Sequence, residues 1–256
     1  MMFNAKKLLV FFSLVGALFA ENSETLNLYG TFGLGFGTGG ELFSSSYQNS
    51  SGEITKETNK YFNYGQGLKF DLGAQYYLMP NVALQSGIEF SGRIPGFKTE
   101  DFQATASGTD TTLTTTFHTG LFGIKALIVP RFEILELTTM YVGAGAGLFW
   151  NSLKYESVKE TVSSKLTENG KIRSNPKIGL LGLVGVDYPV SDLICAFGEV
   201  AFEQMSFTWS KKQIERSDFN RPGVIRYEKN APNQEAPPRI PGSNWQIRFG
   251  IRYAIL

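Results

Sequence analysis

The chain is poor in the residues that most site chemistry uses. Of its 256 residues one is a cysteine, Cys195, and one a histidine, His118. No internal disulfide can form, and metal sites built from Cys and His are excluded, so neither metal nor cofactor is expected. The formal charge is +1, which removes the basic footprint of a nucleic-acid binder. Long hydrophobic runs are absent too. The longest, Leu8 to Ala20, has thirteen residues, short of the roughly 17–25 that a helix needs to cross a bilayer. Lys6 and Lys7 precede it and the polar run ENSE follows. A positive patch, a short apolar core and a small final residue predict a secretory signal peptide over residues 1–20, removed after Ala20. Leu18 is large for the third position before the cut, and a buried N-terminal helix is the competing reading. No cysteine lies nearby, so lipoprotein anchoring is not expected.

What the chain does have is glycine and aromatics in bulk: 28 Gly, 21 Phe and 11 Tyr. Both favour β structure over helix. The clearest stretch is the last, Asn244 to Leu256. Alternate residues put Trp245, Ile247, Phe249, Ile251, Tyr253 and Ile255 on one face and Gln246, Arg248, Gly250, Arg252 and Ala254 on the other. Only a strand separates these sets, and about nine to eleven tilted residues cross a bilayer.

Seven earlier segments read the same way: 26–37, 68–79, 82–94, 115–129, 140–150, 178–188 and 194–204. One face of this set carries Lys69, Asp71, Glu89, Arg93, Lys125, Asp187, Glu199, Glu203, Arg248 and Arg252. The other carries no charge. A charge facing lipid at mid-depth costs about 2–4 kcal/mol, and a fold has only about 5–15 kcal/mol in hand. Five cations and five anions are therefore predicted to line a lumen and neutralise one another. A soluble β-sandwich is the alternative; it would bury the apolar face and turn the charges outward. The fourth segment alternates least well, because Leu121 and Leu127 share the face of Lys125.

Connectors alternate between short and long. Short ones fall at Pro80-Asn81, Pro130 to Thr139 and Pro189 to Leu193; long ones at about 38–67, 95–114, 151–177 and 205–243. This predicts an all-β, eight-stranded antiparallel up-and-down transmembrane barrel over residues 21–256, with turns on the periplasmic side and four long extracellular loops. The Thr-rich 111–116 run and Leu153 to Tyr155 read as strand extensions above the membrane. Tyr76, Tyr188 and Tyr253 fall at the periplasmic ends, and Phe36, Phe90, Phe117, Trp150 and Trp245 near the other. Two aromatic girdles are expected at the lipid interfaces.

On the signal-like N-terminus, YVGAGAGL at 141–148, GLVGVDYPV at 182–190 and the final GIRYAIL, the chain resembles the eight-stranded outer-membrane proteins of the OmpA transmembrane-domain and OmpX type, grouped as porin-family barrels. The resemblance covers about Leu26 to Leu256. It implies outer-membrane localisation in a Gram-negative-type envelope, with lipopolysaccharide as neighbour. It also implies a last strand read by the insertion machinery through Phe249, Ile251, Tyr253 and Ile255. Leu256 stands where that family has an aromatic residue. No peptidoglycan-binding domain is seen after the barrel, so no cell-wall tether is carried over.

An enzyme would need a nucleophile beside a base. The sole histidine has Thr116 and Gly120 as in-phase neighbours, with Ser206, Glu203 and Glu199 as distant partners, so no catalytic residue is assigned. The glycines at 30, 33, 35 and 37 lack the helix and the Lys-Ser/Thr pair of a nucleotide loop. Lumen glycines are expected to make room for Arg and Lys, and Cys195 receives no role. A non-enzymatic anchor with interacting surface loops is the function expected. A narrow channel for small solutes or ions is the alternative, and a lipid-modifying enzyme a more distant one.

Overall fold

The computed structural model describes residues 26–93, 96–105, 110–135, 138–227 and 238–255. The segment read as a signal peptide lies outside them, as does Leu256. Numbered along the chain, the first strands are β1 (Leu26–Gly37), β2 (Glu41–Gln48), β3 (Ile54–Phe62), β4 (Gly67–Met79), β5 (Val82–Gly92) and β6 (Phe97–Gln103). Two long ones follow, β7 (Thr111–Leu135) and β8 (Thr138–Thr161). Then come β9 (Lys165–Ser174), β10 (Lys177–Pro189), β11 (Ile194–Gln204), β12 (Ser206–Ser217), β13 (Gly223–Arg226), β14 (Arg239–Pro241) and β15 (Asn244–Ile255). No helix among the described residues is long and apolar enough to cross a membrane.

Eight of these strands close into a ring, β1-β4-β5-β7-β8-β10-β11-β15 and back to β1. Every neighbouring pair is antiparallel. Closure is made by the first and last strands, in register from Leu26 opposite Ile255 to Gly37 opposite Asn244. The molecule is an eight-stranded up-and-down barrel of the transmembrane kind. Period-2 alternation fixes this register, because a slip of one residue would turn every ionic side chain into lipid. The outward residues of β15 are largely exposed: Phe249 is 67% exposed and Ile251 59%. Leu28, Phe32, Leu34, Phe70, Leu72, Val184 and Val186 are exposed on the same outer wall. A wall this apolar suits hydrocarbon and would be costly in water.

The remaining strands continue the wall on one side. On β7 hang β6, β2 and β3; on β8 hang β9, β12 and β13, with β14 beside β12. The stretches expected as loops are thus largely an outer sheet. Its concave side carries Phe62, Tyr64, Phe97, Phe117, Leu153, Tyr155, Ile172, Phe207 and Ile240, with Phe43 packed against them, in an apolar core continuous with that of the bore. Phe97 stacks between Phe62 at 4.8 Å and Phe117 at 4.7 Å.

One boundary differs from the sequence reading. Proline was expected to end the fourth barrel strand after Val129, but β7 passes through Pro130 to Leu135. The β7–β8 ladder omits Val129 and Pro130 and resumes at Arg131 opposite Tyr141 in the same register. The missing N–H faces β8 in that gap, so the proline interrupts the β7–β8 ladder locally without shifting its register. Arg131 donates its own N–H to the Asn81 carbonyl at 2.8 Å.

Candidate functional site

The barrel interior is the site the sequence points to, and side chains fill it. Lys69, Asp71, Glu89, Lys125, Asp187, Glu199, Glu203, Arg248 and Arg252 are all buried. Inward parity on β4, β5, β7, β10, β11 and β15 delivers each of them, and they gather into two clusters.

The larger cluster lies toward the outer end. The Lys69 ammonium reaches Glu89 at 2.6 Å and Glu203 at 3.2 Å. Lys125 bridges Asp71 and Glu89, both at 2.8 Å, with Glu203 at 3.7 Å. Arg248 pairs with Asp71 through one terminal nitrogen and with Glu199 at 2.6 Å through the other. Tyr141 donates to Glu199 at 3.1 Å and Asn244 to Glu203 at 3.0 Å. Three cations thus hold four carboxylates. Each carboxylate meets more than one donor, which offsets part of the desolvation, while Asp71 Oδ1 and Arg248 Nε are buried without a hydrogen-bond partner.

The smaller cluster lies toward the turns. Asp187 receives Arg252 on one oxygen and Arg131 on the other. The Arg252 guanidinium sits 3.9 Å from the Phe197 ring centre and 4.6 Å from that of Tyr141. Arg131 stands over Tyr77 at 5.5 Å. Two arginines on one acid leave this end one charge positive, as the other is one charge negative, and the bore as a whole is neutral.

Two residues change places relative to the sequence reading. Arg93 was grouped with the lumen charges but lies half-buried at the outer mouth. Its guanidinium is 5.5 Å from the Phe97 ring and 3.5 Å from the Gln66 side-chain oxygen, because β5 has already left the ionic zone there. Arg131 was assigned to a turn. It keeps the odd-numbered inward phase of Lys125, Leu127 and Val129, and following that phase through Pro130 would have found it.

The opposite half of the bore is apolar: Leu121, Leu127, Val129, Phe149, Leu181 and Leu183 are buried inside. Here a small departure from alternation in the sequence was real information about the lumen. Where the halves meet, between Lys125, Glu203 and Arg248 on one side and Leu127, Leu181 and Leu183 on the other, lies a cavity of about 10 Å³. That is room for about one water molecule. The inward glycines mostly admit aromatic rings, beyond the Arg and Lys stems expected. A Cβ on Gly185 would lie 2.4 Å from the Tyr141 ring, and one on Gly87 2.3 Å from the Tyr29 hydroxyl. Gly33 does clear the Arg248 stem, at 2.8 Å.

The other singled-out residues are dispersed. Trp245, Tyr188 and Tyr253 are exposed on the outer wall, and Tyr76 and Trp150 are half-buried there. Trp150 packs on Phe122 at 5.5 Å, and Trp245 on Phe202 at 4.8 Å. Phe249, Ile251 and Tyr253 project outward, and Ile255 is partly covered beside Leu26. Phe117 was read as a girdle residue but is buried in the outer core, since its odd number turns it inward. His118 is exposed opposite Lys154, while Glu199 and Glu203 face into the bore. Cys195 is half-buried on β11. Among the described residues no group of His, Cys, Asp and Glu is placed to hold a metal ion.

No protein-family model matches the chain, and no curated protein sequence does. Among solved structures it is similar to Neisserial surface protein A, with 14% identity, 91% of this chain and 97% of that one covered, and a TM-score of 0.43. It is also similar to the attachment invasion locus protein Ail of Yersinia pestis, with 12% identity over 90% and 99% and a TM-score of 0.37. The outer membrane protease OmpT from Escherichia coli gives 10% identity over 91% and 97%, with a TM-score of 0.33. At such scores the fold rests on the chain's own strand register.

Proposed function

We propose that the chain is a non-enzymatic outer-membrane protein of the OmpA transmembrane-domain or OmpX type, exported with loss of residues 1–20. In this reading the barrel is a membrane anchor, closed to solutes, and the outer sheet presents a surface for interaction, adhesion or envelope integrity. Lipopolysaccharide is its lipid neighbour, and the insertion machinery reads Phe249, Ile251, Tyr253 and Ile255. The observation that carries the reading is the ion network across the bore. Lys69, Lys125 and Arg248 are bound to four carboxylates and leucines line the facing half, an arrangement that supports a plugged bore. The placement of His118 supports the absence of catalysis. It is exposed on the outside of β7, whereas Glu199 and Glu203 face the bore and are engaged by Arg248, Tyr141, Lys69 and Asn244.

Recording from the refolded protein in planar bilayers tests the plug. A flat baseline is expected, and reproducible conductance steps from purified material would favour the narrow-channel reading instead. Heat-modifiable gel migration together with a β-rich circular dichroism spectrum in detergent tests the anchor. A water-soluble monomer lacking both would reject it.

A further inference from the structure

The convex face of the outer sheet carries an arrangement that folding does not account for. Arg173 on β9 stands directly opposite Lys211 on β12, and Lys211 directly opposite Arg226 on β13. Three cations therefore lie side by side across neighbouring strands. In the next row of the same face, His118, Lys154 and Lys171 are aligned across β7, β8 and β9. Opposed residues in an antiparallel pair have Cβ atoms about 4.5–5.5 Å apart, and like charges so placed destabilise the sheet.

Ion pairing relieves this only at the Lys171 end. Lys171 reaches Glu215 at 2.5 Å, and that hydrogen bond, helped by the nearby Lys154 and Arg173, holds the Glu215 carboxyl below its ordinary range. Among the described residues no carboxylate lies within ion-pair distance of Lys154, Arg173, Lys211 or Arg226. The concave face of the same strands behaves differently. Lys212 there has Glu168 at 3.4 Å and the Tyr155 ring at 4.6 Å.

Position narrows the missing counter-charge. Lys154 follows Trp150 on the outward side of β8, four residues along, or about 13 Å. Arg173 sits lower, between Ile172, paired with Leu153, and Ser174, which is bonded to Asn151. Below it on β10, Ile178 and Leu180 are exposed to the surroundings. An anion resting on Arg173 would therefore lie just beyond the lipid-facing wall, and its apolar tail would have that wall to lie on. Guanidinium groups bind phosphate through paired hydrogen bonds.

We infer that Arg173, Lys211 and Arg226, with Lys154 beside them, bind the phosphate headgroups of phosphorylated lipid in the outer leaflet. This rests on the membrane-anchor reading. The site is on one side of the barrel only, so the bound lipid forms a local annulus against β8, β9 and β12.

The test uses the full chain refolded in maltoside micelles. It is titrated with lipid A carrying two phosphates, with the same lipid dephosphorylated, and with inorganic tripolyphosphate, binding being followed by native mass spectrometry. Phosphorylated lipid A is expected to be retained and the dephosphorylated form lost. The triple variant R173Q/K211Q/R226Q should bind about 100-fold more weakly, at roughly a kcal/mol per basic residue. R173K/R226K, which keeps the charge but loses the paired hydrogen bonds, should bind more weakly than wild type and more tightly than the triple variant. Without lipid the triple variant should melt at the wild-type temperature or above it, since a repulsion has been removed; a structural role for these charges predicts the opposite. Equal binding of dephosphorylated lipid, or undiminished binding by the triple variant, overturns the inference. Tripolyphosphate binding as tightly as the lipid overturns the lipid assignment in favour of a soluble polyanion. If neither wild type nor variant enters micelles, the anchor reading itself fails. If both fold and only lipid retention is missing, this inference alone fails.

Discussion

The strand β8 runs through two environments and can be read as two proteins. From Tyr141 to Phe149 its odd residues face a bore shared with nine buried charges, and its even residues, Val142, Leu148 and then Trp150, face outward and are apolar. From Asn151 to Ser157 the odd residues still face inward, but now Leu153 and Tyr155 join an aromatic core. The even ones, Lys154 and Glu156, are exposed and charged. Backbone and phase are continuous while the chemistry turns inside out. The lower half is built for a medium in which charge must hide, the upper half for one in which grease must hide. What changes between them is the solvent, and the crossover lies at the row of Trp150, Phe122 and Phe90.

The contrast can be broken hardest from the inside. Replacing Asp187 by Ala leaves Arg131 and Arg252 buried without their shared counter-ion, and Glu89→Ala does the same to Lys69 and Lys125. Each is expected to cost about 3–5 kcal/mol, read as a drop in the urea midpoint in lipid vesicles, whereas Arg93→Ala should cost far less. Next is the outer core. Phe62→Ala should destabilise the outer sheet by about 3–5 kcal/mol without opening the barrel, so proteolysis should nick residues beyond the crossover while the spanning core stays protected. If the whole molecule melts as one unit, the two halves are not separable. The same substitution on both halves of β8 gives a sharper comparison. Ala146→Lys, on the lipid side, should cost about 2–4 kcal/mol, while Glu160→Lys, in phase but in water, should cost no more than about 1 kcal/mol, the loss of its exposed pair with Lys165. Equal costs at the two sites would mean that the wall is not in lipid.

The smallest effect expected is a pH response confined to the outer sheet. Burial works against ionisation of Glu168, but hydrogen bonds from Asn220, Tyr155 and Ser217 and the Lys212 ammonium outweigh it and hold the carboxyl below its ordinary range. A carboxylate with a lowered folded value stabilises the fold above its unfolded value, about 4.3. That contribution is lost as pH falls through the folded value. Proteolysis of the β9–β12 region should therefore rise at acid pH, and Glu168→Gln should flatten that part of the profile.

The sequence was legible where a residue's surroundings on its two sides differ most. β15 announced itself because one side meets hydrocarbon and the other a salt-bridged bore. Eight strands, their phase and nine of the lumen charges followed from that contrast. β9 and β12 were not visible, because Glu168, Gly170 and Ile172 share one face and polar residues the other, a pattern that resembles a loop. Pro130 hid Arg131, since a proline argues against a strand unless the neighbouring ladder is known to be interrupted. Arg93 was misplaced for a related reason: phase says which way a side chain points and nothing about how far along the bore it sits. Leu121 and Leu127 broke the pattern and still faced inward, because half of the bore is lined with leucine.

The pairing of β1 with β15 constrains how such a molecule can come into being. Its seam joins residues far apart in sequence, from Leu26 opposite Ile255 to Gly37 opposite Asn244, so the cylinder stays an open ribbon until the twelve residues of β15 are in place. Contacts this distant in sequence form slowly. Throughout that interval the ribbon's edges are unpaired and its wall is sticky, so chains meeting before a bilayer receives them are prone to associate.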